Sequence, residues 1–149
     1  MWRIWLLVAS LVVASSIATT QSMSADSKAV AHARVLLIMI SIPIRTCYAD
    51  WSLADALYRG GNIPQSQATF AEFSRCVENA PNAIKSEVDE LRATLSKKPQ
   101  ALAAFKDYVL TYRALLAQLE SRSTTLAEAA KFETILDGKA AKVIAEIEW

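Results

Sequence analysis

Five kinds of residue in this chain could do chemistry: one histidine, two cysteines, two clusters of carboxylates, a double glycine, and a short stretch rich in tyrosine, tryptophan and arginine. His32 is the only imidazole. On a helix its neighbours at i−4 and i+4 are Lys28 and Leu36, and neither can orient an imidazole as a base or share a metal ion with it. His32 therefore reads as a structural or surface histidine. Ser–His–Asp and Cys–His nucleophiles assemble in space rather than in sequence, but a lone histidine committed to an Ala-rich helix is a poor member of either.

The carboxylates Glu87, Asp89 and Glu90 cluster, as do Glu146 and Glu148. A glycoside hydrolase needs two carboxyls across a cleft, one of them raised in pKa by burial. Nothing beside these clusters signals burial, so each reads as a solvated helix face. Zinc needs four ligands, a c-type haem needs C-x-x-C-H, and a di-metal bundle needs Glu-x-x-His pairs; the sequence supplies none of these. Gly60-Gly61 is followed by no Lys-Ser or Lys-Thr, so it reads as a helix terminator rather than a phosphate loop. No catalytic, cofactor-binding or metal-ligating residue is nominated, and an enzyme is the least favoured class.

The cysteines take their meaning from the N-terminus. Met1-Trp2-Arg3 is a short positive start, Ile4 to Ala14 is an apolar run, and small residues follow at Ser15, Ser16 and Ala18. This is the anatomy of a signal peptide, residues 1–18, cleaved after Ala18, with Ala14 and Ala25 as alternative sites. The run is well short of the roughly 20 residues that span a bilayer. Export leads to a periplasmic or secreted location, an oxidising one. There Cys47 and Cys76 are expected to form one structural disulfide rather than a redox pair, which favours C-x-x-C spacing.

A chain of 149 residues that is 53% hydrophobic and 21% charged is folded, and residues 19–149 suffice for one domain. The net charge of +1 gives no electrostatic reason to expect nucleic acid. Three glycines and four prolines argue against a turn-rich β fold.

The pattern is helical throughout. Val30 to Ile42 is apolar on every side, which predicts a helix buried all round; a short buried strand at Val35 to Ile40 would look similar, but Ala29, Ala31 and Ala33 favour helix, and Val35 to Ile44 is too short to cross a membrane and should be core. Pro43 should kink or end that helix, and a second segment from Thr46 or Asp50 should stop at Gly60-Gly61. Asn62 or Ser66 caps the next helix, whose Phe70, Phe73 and Val77 share a face; Pro81-Asn82 interrupts. Ile84, Val88, Leu91 and Leu95 mark another segment. Pro99 opens the longest helix, whose Leu102, Phe105, Val109, Tyr112, Leu116 and Leu119 fall at a and d spacing and could carry a homodimer. Thr124 or Thr125 caps the last segment, which should pair with it as an antiparallel hairpin, with Gly138 as a weak point. The expected fold is a compact all-α bundle of about five to six helices with one disulfide.

Tyr48, Trp51, Tyr58, Arg59 and the terminal Trp149 are the residue types that carry interface energy, and they are the candidate partner-binding set. Trp51, Ala54 and Tyr58 also fit a core face, while Asp55 and Arg59 form an i, i+4 pair that should meet water. Tyr108 and Tyr112 could line a groove, although Tyr112 falls at a packed position. These observations lead to an exported helical protein that binds a protein partner, as an inhibitor, a toxin-immunity factor or an envelope adaptor. The alternative is a carrier of a small apolar ligand or lipid held between helices.

Overall fold

The computed structural model describes residues 25–148, with side chains from Ser27 onward; the expected signal peptide and Trp149 lie outside the described residues. Six helical segments follow in order: α1 (Ala25–Arg59), α2 (Ile63–Ala83), α3 (Lys85–Thr94), α4 (Pro99–Glu120), α5 (Leu126–Ala129) and α6 (Phe132–Glu148). No strand occurs among the described residues. α1, α2, α4 and α6 are long, whereas α3 has ten residues and α5 is a single turn.

Four of the six are principal helices, where five to six were expected: α3 and α5 are short, and Pro43 does not divide α1. It lies inside α1, which runs unbroken for 35 residues. Proline removes one i→i−4 bond, here the one to the Met39 carbonyl, and Met39 lies on the solvent side of the helix, where water can take that bond. Pro81 likewise sits inside α2, and the chain breaks three residues later, at Ile84. The other punctuation falls as the residue types require. Gly61 is left-handed at φ 79° and closes α1, with the Asn62 amide bonding the Leu57 carbonyl. Asn62 caps α2 through the Gln65 amide, and Pro64 fills its first turn. Ser66, the alternative cap, is instead buried and donates to the Ala54 carbonyl at 2.8 Å. Thr125 and Glu128 form a reciprocal capping box at α5.

Two hairpins make the bundle. α1 packs along α2, and the Cys47–Cys76 disulfide joins them, with Cα atoms 5.4 Å apart. α4 packs along α6, held at the surface by Lys139 to Asp107 at 2.7 Å and by Lys98 donating to the Ile147 carbonyl. α1 and α4 meet between the hairpins, where Tyr108 donates to the Leu37 carbonyl at 3.3 Å. The core is continuous, from Ile40, Ile44 and Cys47 through Phe73 and Leu91 to Phe105, Tyr108, Leu119 and Leu136.

The heptad-like seam of α4 is spent inside the monomer: Phe105, Val109, Tyr112, Leu116 and Leu119 are all buried. Leu102, at its start, is half-buried, and Leu110 is the large apolar residue of α4 left in water.

Two stability predictions arise here. Gly138 is helical, and a methyl group there would meet nothing within 4 Å. Gly138→Ala is expected to raise the unfolding free energy by about 0.5–1 kcal/mol, read by denaturant titration. Tyr108 and Tyr112 are fully buried, and burial raises both hydroxyl pKa values above the ordinary value of 10. The folded state thus holds these protons more tightly than the unfolded chain, so their stabilisation is intact below pH 10 and declines as pH rises beyond it. The Tyr112 hydroxyl has no hydrogen-bond partner among the described residues, whereas Tyr108 has one. Tyr112→Phe is expected to hold or raise stability by up to about 1 kcal/mol, and Tyr108→Phe to lower it by about the same amount.

Candidate interaction surface

α1 is too long for its neighbours to surround it. α2, α3, α4 and α6 cover its inner sides and bury Ala33, Leu36, Leu37, Ile40, Ile44 and Cys47. The outer side has no partner among the described residues. The expectation that Val30 to Ile42 is buried all round is therefore corrected: Val35, Ile38, Met39 and Ile42, at i, i+3, i+4 and i+7, are exposed, Ile38 at 61% and Ile42 at 51%.

Val35, Ile38 and Ile42 belong to a longer stripe, with Met39 beside it. Ala31, Val35, Ile38, Ile42, Thr46, Ala49 and Leu53 are all exposed and none is charged. Their spacing of three and four residues keeps them on one face of a helix for about 33 Å. A monomeric protein rarely leaves so long an apolar strip in water. α1 is also long and apolar enough to cross a membrane by length and composition, but 44% of its most apolar window is buried against the other helices.

Beside the stripe, a groove of about 450 Å³ runs between α1 and α6. Leu37 and Ile38 form one wall, Ala140, Ala141 and Ile144 the other, and Tyr108 contributes to the lining. Charged pairs bridge both ends: Arg34 to Glu148 at 3.6 Å, and Arg45 to Glu133 and to Asp137, the latter at 2.9 Å. Ile38 borders groove and stripe alike, so the two are one continuous apolar surface.

The residues singled out from the sequence fall around this surface rather than on it. Trp51 is half-buried and packs on Phe73, with ring centroids 5.9 Å apart, and Tyr48 is half-buried against the core. Tyr58 and Arg59 are exposed at the end of α1, where Arg59 pairs with Asp55 at 2.7 Å. His32 meets Glu90 at 2.8 Å and links α1 to α3 at the surface. Asp89 pairs with Arg92, while Glu87 is half-buried, with one carboxylate oxygen lacking a partner among the described residues. No group of three or more metal-ligating side chains occurs among the described residues.

Sequence reasoning missed the stripe because Val30 to Ile42 is apolar on all sides. The signal lay further along, in the uncharged 31, 35, 38, 42, 46, 49, 53 series that continues past Pro43. Comparison with protein-family models, with curated proteins and with solved structures finds no match for this chain.

Proposed function

We propose that this chain is a non-catalytic binding protein of an oxidising, extracytoplasmic compartment, the periplasm, and that it acts by presenting the outer face of α1 to a protein partner. The observation that carries the reading is the exposed stripe: a continuous, uncharged helix face is what a helix or groove of a partner recognises through anchors at i, i+3, i+4 and i+7. The disulfide and the N-terminal apolar stretch fit export. Inhibitors, immunity factors and envelope adaptors all work in this manner, by contact alone. Tyr58 and Arg59 would extend the contact at one end of the stripe.

The test is capture from the native envelope fraction with the exported protein, compared with its Ile38→Glu variant, analysing both protein and lipid eluates. The expected result is a stoichiometric protein partner that disappears with Ile38→Glu. Capture that is identical with both baits would refute the role of α1.

The α1–α6 groove favours a second reading, carriage of a small apolar ligand. Its volume and aliphatic walls suit a short acyl chain. A lipid or small molecule in the eluate, with no protein, would select this reading.

A further inference from the structure

We propose that the partner of the α1 face is a second copy of this chain, packed antiparallel about a two-fold axis between Ile38 and Met39. The inference rests on the reading of α1 as a binding surface and names its occupant.

The stripe is self-complementary on that axis. Val35 of one copy comes level with Ile42 of the second, Ala31 with Thr46, and Ile38 with Met39, while Ala49 comes level with Lys28. The charges select the same register. In the middle of α1, between Lys28 and Asp50, His32 pairs with Glu90, Arg34 with Glu148, and Arg45 with Glu133 and Asp137, all within one chain. Lys28 and Asp50 have no such partner among the described residues. They lie on the same flank of the stripe and, on this axis, are offset from each other by one residue, about 1.5 Å, which is within reach of a lysine side chain. An antiparallel two-fold keeps that flank on the same side in both copies, so Lys28 reaches Asp50 of the second copy and Asp50 reaches its Lys28. A register centred on Ile42 matches the whole stripe to itself, but it sets Lys28 level with Ala56 and Asp50 level with Arg34, which lies on the opposite flank and pairs with Glu148 in its own chain. The charge pattern thus chooses one arrangement out of two that apolar contact alone would permit.

A single helix pair is a small interface, so the dimer is expected to be weak, with Kd on the order of 1 to 100 µM. Analytical ultracentrifugation of the exported protein across that range tests it. Wild type is expected to show a reversible monomer–dimer equilibrium. Ile38→Glu places two carboxylates beside the axis and is expected to weaken association about 100-fold or more, with unchanged circular dichroism. Lys28→Asp and Asp50→Lys should each weaken self-association about tenfold, because each sets like charges opposite one another. Mixed in equal amounts, the two variants should recover it, since the introduced aspartate of one then faces the introduced lysine of the other, and the native Asp50 of the first faces the native Lys28 of the second.

A wild type that stays monomeric overturns the proposal, as does a dimer indifferent to Ile38→Glu or a mixture no tighter than its components. A monomer that still loses a different captured protein on Ile38→Glu would refute the second copy and leave the binding role of α1 standing. A monomer that co-floats with phosphatidylcholine vesicles would assign the face to a lipid surface. If Ile38→Glu changes neither self-association nor capture, both readings fall.

Discussion

Replacing Cys47 and Cys76 together by alanine is expected to lower the unfolding free energy by about 3–4 kcal/mol, in line with loop-closure entropy for this spacing. The two cysteines are 29 residues apart, and their bond joins α1 to α2 across the α1–α2 turn. Cys47 is fully buried beneath the hairpin, close to where Trp51 packs on Phe73, so truncation also removes core contacts. A domain of this size has about 5–15 kcal/mol in total, so the loss is a large share of it and should lower Tm on the order of 10 °C. Reducing agent should reproduce the effect on the wild-type protein. The measurement is denaturant unfolding followed by circular dichroism. A loss below about 1 kcal/mol would show that packing alone holds the hairpin.

The second large effect separates the two sides of α1. Ile40 is fully buried in the core, whereas Ile38, two residues away, stands in water. Ile40→Ala is expected to cost about 2–5 kcal/mol, the lost transfer free energy plus the cavity left behind. Ile38→Ala should change stability by less than about 0.5 kcal/mol. The pair can be read in one set of thermal or denaturant unfolding curves. Comparable losses at the two positions would mean that the outer face of α1 is covered within the folded monomer, and the interaction surface would vanish with it. The contrast matters for interpretation, because it shows that an Ile38 variant that loses binding has not simply unfolded.

Much of the architecture could be read from local signals. Asn62 with Pro64, Gly61, Pro99 and Thr125 mark helix ends because capping and left-handed geometry depend on the nearest few residues. The disulfide followed from an even cysteine count in a chain whose N-terminal residues read as an export leader. Pro43 misled because its cost depends on tertiary context: a long helix clamped by a disulfide and four neighbours tolerates one missing bond on its wet side. The candidate site was harder. Tyr48 and Trp51 drew attention by residue type, but the bundle uses them at its edge, whereas the open face consists of Val, Ile, Met, Ala and Thr, which in sequence look like core. Whether an apolar face is buried depends on how many neighbours the rest of the chain can supply, and no local pattern contains that number. The heptad seam of α4 shows the converse, since within the monomer it is covered by α6 and the helices of the first hairpin.

The most direct test of the central claim is site-specific photocrosslinking in the native envelope. A photoreactive residue placed at Ile42, on the α1 stripe, is compared with one at Leu110, which is also apolar and somewhat more exposed but lies on α4 away from that stripe. The expected result is a discrete protein adduct from position 42 and none from position 110, with the adduct at twice the chain's mass if the partner is a second copy. Adducts of equal yield from both positions, or none from position 42, would contradict the assignment of α1 as the binding face.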